Sequence, residues 1–178
     1  IVIGGAAGAL PPVIGWTIAT NTISLEPLTF FFIIFFWTPS HFWALSLYKA
    51  DDYKKAKIPM LPLTDGIEKT KVYIFIYSLL MLPAIIFPYV INFSSLIYLI
   101  PSLILTLYYN FICYDLYKYK KNKFDLKKAK KVFAYSILYL LPSLSFGPFG
   151  CRYAPLLWPL SVLIGFVNMG LNCIHQGR

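Results

Sequence analysis

Long apolar runs alternate with short polar stretches along the whole chain. A helix needs roughly 20 apolar residues to cross a bilayer, and most of the runs reach about that length. Spans are predicted at residues 1–20, 27–48, 72–91, 96–117 and 132–149, with a less apolar sixth run at 155–173. The pattern therefore predicts an all-α fold, a polytopic membrane helix bundle with five or six spans in this chain.

The lysines fall into two stretches between these spans, residues 49–71 and residues 118–131. Lys-rich loops of multispanning proteins stay in the cytoplasm, and two spans separate the stretches, which places both on one side. The short connections 21–26 and 92–95 carry no Lys or Arg. All four connections predict one orientation, with the Lys stretches cytoplasmic.

Composition indicates that lipid is the main solvent of the chain. Its 178 residues are 58% hydrophobic and 13% charged, whereas a soluble domain carries about 25% charged residues. The net charge of +9 lies in the two Lys stretches rather than over one face, which argues against binding to nucleic acid. Cys113, Cys151 and Cys173 match no metal-ligand spacing and no disulfide framework.

The second apolar run carries the residues best suited to chemistry. Trp37, His41, Leu45, Tyr48 and Asp52 are three or four positions apart, so they share one face if the helix continues to Asp52. Ionisable side chains inside a membrane are costly and tend to face a functional site. His41 is therefore either a functional residue or a hydrogen-bonded packing residue, and the pattern leaves both open.

Two adjacent carboxylates, Asp51 and Asp52, follow this run. Magnesium bound to a phosphate ligand takes one or two carboxylates together with phosphate oxygens and waters. The neighbouring ammonium groups, which would neutralise a leaving diphosphate, belong to Lys49, Lys54, Lys55 and Lys57. The alternative is a solvated loop in which the charges balance one another. The second Lys stretch is interpreted as a topology determinant attracted to anionic lipid, without a catalytic role.

Small and aromatic residues supply two further candidate features. Gly4 and Gly8 are four positions apart on a small-residue face, which suits either close helix packing or a thin wall beside a bulky ligand. Trp37 and Trp43 are either packing or interface residues or part of the lining of a ligand cavity.

Three stretches of the chain follow a known pattern in the known order. They read IVIGGAAGALPPVIGW, FFWTPSHFWALSLYKADDYKKAKIPMLP and KKAKKVFAYSILYL. They closely resemble the corresponding parts of the protohaem IX farnesyltransferases, a family of the intramembrane aromatic prenyltransferase superfamily. The resemblance covers roughly residues 1–141, and its second stretch is long and specific.

The resemblance implies a nine-helix α bundle in which a farnesyl group moves from farnesyl diphosphate to a vinyl group of haem B, giving haem O. It places Asp51 and Asp52 in the family's second acidic loop as ligands of Mg²⁺, which enters with the diphosphate of the substrate. It also implies catalytic positions for His41 and Tyr48. The implied partners are farnesyl diphosphate, haem B and the lipid bilayer. The implied location is the bacterial inner membrane, with the mitochondrial inner membrane as the alternative.

Two departures from the family leave other interpretations open. The family's first acidic motif, Asn-x-x-Asp-x-x-x-Asp, has no counterpart, and the chain starts inside an apolar run, so we expect an N-terminal part to precede it. Residues 142–178 differ from the family's last helix, which divides the chain into a bundle portion, 1–141, and a hydrophobic tail, 142–178. The alternatives are an inactive remnant of a split gene, a prenyltransferase with another aromatic acceptor, and a transporter subunit.

Overall fold

The computed structural model describes residues 1–118 and 126–145, apart from the side chains of Ala19, Ile97 and residues 141–145. Within these ranges the chain forms helices and no strand. The helices are α1 (Val2–Ala9), α2 (Pro11–Thr20), α3 (Glu26–Tyr48), α4 (Ala50–Lys55), α5 (Leu61–Thr64), α6 (Ile67–Val90), α7 (Leu96–Lys118) and α8 (Leu126–Ser145). The predicted sixth run, at 155–173, lies outside the described residues.

The predicted all-α membrane bundle is confirmed. In the described part of the chain, α3, α6 and α7 are long and apolar enough to cross a membrane. The predicted first span is divided into α1 and α2, with Leu10 between them. Pro11 and Pro12 begin α2, where their missing N–H groups cost nothing, whereas inside one continuous helix each would remove a hydrogen bond.

Helix α3 lies at the centre of the described bundle. It packs against α1, α6 and α8, and α7 closes the arrangement by packing against α6 and α8. The fully buried apolar side chains between these helices include Ile33, Ile34 and Leu47 of α3 and Ile74, Met81 and Ile85 of α6. Many large apolar side chains remain exposed on the outside, as expected where the surrounding medium is lipid.

Hydroxyl and amide groups join α7 to α3, α6 and α8 inside the bundle. A polar group without a partner is costly in an apolar interior, so such pairs fix the helices relative to one another. The pairs are Tyr109 Oη to Ser40 Oγ, Thr106 Oγ1 to Tyr139 Oη and Ser78 Oγ to Asn110 Oδ1, each at 3.0 Å.

Candidate functional site

The helix that carries the candidate residues ends before the carboxylates. α3 stops at Tyr48, and Lys49 has backbone angles of φ −107° and ψ 25°, outside the helical range. Helix α4 follows and carries Asp51 and Asp52. The condition for one common face, a helix that continues to Asp52, is therefore not met, because the helix is interrupted at Lys49.

Residues 49–57, which we call the charged cap, follow the end of α3. The Nζ atom of Lys49 lies 3.1 Å from Oδ2 of Asp52, and the two side chains are 49% and 61% exposed. The hydrogen bond to Asp52 and the charge of that carboxylate raise the pKa of Lys49. Asp51 is exposed beside it. The two predicted metal ligands are thus adjacent and accessible, and Asp52 already pairs with an ammonium group.

The other predicted diphosphate ligands belong to the same cap. Lys54, Lys55 and Lys57 are exposed, and Lys57 adopts a left-handed backbone with φ 55° just beyond α4. In the ranges that the structure describes, no group of three or more His, Cys, Asp or Glu side chains is placed to hold a metal ion. A metal ion at the cap would therefore need further oxygen atoms from a bound small molecule or from water.

Tyr48 lies within reach of two ammonium groups. The Nζ atom of Lys49 is 5.5 Å from the centre of the Tyr48 ring, and the Nζ atom of Lys130 is 5.8 Å from it. Both distances are within the range of a cation–π interaction. Lys130 is exposed on α8, so α8 adds a cation beside the charged cap. The sequence interpretation did not include this contact, because it joins distant segments and no local pattern signals it.

His41 is buried between two aromatic rings. Its ring centre lies 4.3 Å from that of Trp37 and 4.8 Å from that of Phe133, with angles of 16° and 29° between the ring planes. Its Nδ1 atom is 2.6 Å from Oγ of Ser136, and Nε1 of Trp37 donates to the backbone oxygen of Ser136 at 2.9 Å. The predicted pair Trp37 and His41 is therefore brought together, and both side chains bind to α8.

Trp43 contacts a different helix. Its ring lies 5.2 Å from that of Tyr77 and 5.7 Å from that of Tyr73, both on α6. Trp37 instead bonds to α8 through Ser136. The two tryptophans proposed for one cavity therefore pack against separate neighbours of α3.

The small-residue face, which includes Gly5 as well as Gly4 and Gly8, packs through Gly5. A Cβ atom on Gly5 would lie 3.2 Å from Cγ2 of Thr38 on α3, whereas one on Gly8 would meet no described atom within 4 Å. Gly4 is partly buried. Close helix packing is thus observed at Gly5, and Gly8 leaves space beside α1.

A charged cleft of about 550 Å³ lies beside α5 and the start of α6. Its charged lining consists of Asp65, Glu68, Lys69 and Lys71. The sequence pattern placed Lys71 in a polar loop, but its side chain is 2% exposed within α6 and its Nζ atom lies 3.1 Å from Oε1 of Glu68. The charged side chains of the cleft pair with one another, Lys69 with Asp65 at 3.7 Å and Lys71 with Glu68, and we assign the cleft no ligand.

The described residues thus form an apolar helix bundle with a charged cap after its central helix and a buried histidine on that helix. The chain belongs to the UbiA prenyltransferase family, whose family model matches residues 1–138.

Within this family, the chain is similar to curated proteins that share one name. The chain is 76% identical over 140 residues to "Protoheme IX farnesyltransferase" of Pelagibacter ubique (strain HTCC1062), a match that covers 79% of this chain and 46% of that protein. It is 46% identical over 149 residues to the protein of the same name from Neorickettsia sennetsu (strain ATCC VR-367 / Miyayama), covering 84% and 47%. The protein of that name from Nitrobacter hamburgensis (strain DSM 10229 / NCIMB 13809 / X14) is 40% identical over 161 residues, covering 89% and 52%. The chain spans about half the length of these relatives. No solved structure matches it significantly.

Proposed function

We propose that this protein transfers the farnesyl group of farnesyl diphosphate to a vinyl group of haem B, giving haem O. The observation that carries the proposal is the charged cap, which presents Asp51 and Asp52 immediately after the helix that holds His41. The relatives named protoheme IX farnesyltransferase support the choice of substrates. We further propose the bacterial inner membrane as the location, with the Lys stretches on the cytoplasmic side.

The charged cap fits a diphosphate that arrives with Mg²⁺. Asp51 and Asp52 supply the one or two carboxylates that this ion usually takes from a protein, and the diphosphate and water supply the other oxygens. Lys49, Lys54, Lys55 and Lys57 add positive charge around the same point. Such charge stabilises the diphosphate as the carbon–oxygen bond breaks and the electron pair leaves with it.

The bond-forming step requires an apolar space next to the cap from which bulk water is excluded. Loss of diphosphate leaves an allylic cation, and the π electrons of the vinyl group form the new carbon–carbon bond. The faces of aromatic rings stabilise nearby cations, and we assign this role to Tyr48 at the cap. We place His41 and Trp37 at the end of the site that binds the acceptor, because both are buried on α3 and lie more than one helical turn before the charged cap. Trp43, Gly4 and Gly8 remain candidates for the lining of the prenyl cavity.

A chimeric enzyme tests the proposal. The 140 matched residues of this chain replace their counterpart in the Pelagibacter ubique protein, and haem O is measured by chromatography in a strain that lacks its own enzyme. We expect haem O from the chimera and a large loss with Asp52→Asn, partly restored by added Mg²⁺. We expect His41→Ala to impair the use of haem B more than the binding of farnesyl diphosphate. A chimera that folds in the membrane and makes another prenylated product would refute haem B as the acceptor.

A further inference from the structure

Ser136 of α8 binds two side chains of α3 at once. Its backbone oxygen accepts from Nε1 of Trp37 at 2.9 Å, and its Oγ atom lies 2.6 Å from Nδ1 of His41. Oγ also lies 2.6 Å from the backbone oxygen of Phe133, one turn earlier in α8. Ser136 is fully buried, so neither contact is shared with solvent.

The two short contacts of Oγ decide which atom carries each hydrogen. The hydroxyl group has one hydrogen, and the Phe133 carbonyl oxygen can only accept. If the hydroxyl donated to His41, two oxygen atoms would face each other at 2.6 Å without a hydrogen between them. Both contacts are satisfied only when Ser136 donates to Phe133 and Nδ1–H of His41 donates to Ser136.

We propose that Ser136 is the positioning residue of His41 and fixes the imidazole with its hydrogen on Nδ1. The hydrogen bond made by one ring nitrogen sets the role of the other, so Nε2 is the nitrogen that accepts a hydrogen bond or a proton. The rings of Trp37 and Phe133 hold the imidazole on either side and oppose a flip that would exchange the two nitrogens.

The chemical use of this arrangement rests on the proposed function. When the vinyl group has joined the allylic cation, positive charge remains on the former vinyl carbon. It is discharged when water adds to the carbon and loses a proton, which gives the hydroxyl group of haem O. A histidine with its hydrogen fixed on Nδ1 has an unprotonated Nε2, which can take up such a proton.

Nuclear magnetic resonance measures the tautomer directly and does not require turnover. The chain contains two histidines, and the variant His175→Gln leaves His41 as the one histidine. The 178-residue chain with ¹⁵N,¹³C-labelled histidine is placed in lipid bilayers at pH 8.5, well above the usual histidine pKa of about 6.5. We expect the Nδ1–H form in the parent protein. A parent spectrum with the hydrogen on Nε2 would overturn the proposal without any further variant.

Three substitutions separate positioning from general packing. Ser136→Ala removes the acceptor, so we expect a mixture of tautomers or the Nε2–H form, whereas Ser136→Thr keeps a hydroxyl that can bond to the preceding turn and should restore Nδ1–H. Ser46→Ala is the matched control, because Ser46 is also buried and donates to the carbonyl three residues earlier, that of Trp43. An unchanged spectrum in Ser136→Ala, or the same change in Ser46→Ala, would contradict the role of Ser136. A parent protein that shows the Nδ1–H signal but transfers no farnesyl group would instead count against the proposed function.

Discussion

The Nζ atom of Lys130 lies 5.8 Å from the centre of the Tyr48 ring. This contact places the start of α8 beside the end of α3, where the charged cap begins. Residues from two distant parts of the sequence therefore surround the point at which we expect the diphosphate to bind. The same two helices meet again at Ser136, deeper in the bundle.

The first prediction concerns Lys130. Lys130→Gln should raise the Michaelis constant for farnesyl diphosphate about two- to fivefold, because an exposed ion pair contributes up to about 1 kcal/mol. The Michaelis constant for haem B should stay the same, and the effect should shrink in high salt. Lys131→Gln is the matched control, since Lys131 is the exposed neighbour of Lys130 on α8. An equal effect of the two variants would assign the change to general surface charge.

The second prediction concerns the pair Lys49 and Asp52. The carboxylate of Asp52 raises the pKa of Lys49 because it accepts a hydrogen bond from the ammonium group and carries the opposite charge. Asp52→Asn removes that charge, so the pKa of Lys49 should fall towards its ordinary value, as followed by NMR of methylated lysine. Asp51→Asn should leave the pKa of Lys49 nearly unchanged, because the observed contact is to Asp52. A larger shift in Asp51→Asn would contradict the observed pairing.

The third prediction compares two glycines of α1. Alanine favours a helix over glycine by about 1 kcal/mol, and this gain is common to Gly5→Ala and Gly8→Ala. Only the first places a methyl group 3.2 Å from Thr38, and overpacking of this kind costs about 1–3 kcal/mol. Chemical unfolding in detergent should therefore show Gly5→Ala to be less stable than Gly8→Ala by about that cost. Equal stabilities would mean that Thr38 moves aside freely.

The fourth prediction tests the orientation. Single cysteines at Lys55 and Lys128, placed in a background without the native cysteines, should resist membrane-impermeant thiol reagents in intact cells. Both should react after the membrane is opened, because Lys-rich segments stay in the cytoplasm. Reaction of either cysteine in intact cells would contradict the proposed orientation.

Hydropathy was sufficient to locate the long helices. The predicted run 27–48 differs from α3 (Glu26–Tyr48) by one residue at its start. The start of α6 was less accurate, since the predicted run begins at 72 and the helix at Ile67. Its first turn contains Glu68 and Lys69, which favour a helix but lower the hydropathy. The part of a helix that extends beyond the apolar layer is therefore not detected by a search for apolar residues.

The candidate residues could be selected from the sequence, but their contacts could not. The acidic pair and the buried histidine stood out because charged and ionisable groups are rare in apolar surroundings. The interruption at Lys49 was not predictable, since the residues around it are compatible with a helix. Ser136 and Lys130 were missed because a serine or a lysine on α8 acquires its role only when α8 lies against α3.

The contacts of Ser136 also constrain how the bundle assembles in the cell. Translation produces α3 well before α8, and chains fold from the N-terminus during synthesis. The N–H groups of Trp37 and His41 enter the membrane with α3, at a time when Ser136 has not yet been made. They must meanwhile bind water, lipid or another helix, and they exchange that partner for Ser136 when α8 inserts. Insertion of α8 is thus the step of biogenesis that brings Ser136 and Phe133 to His41.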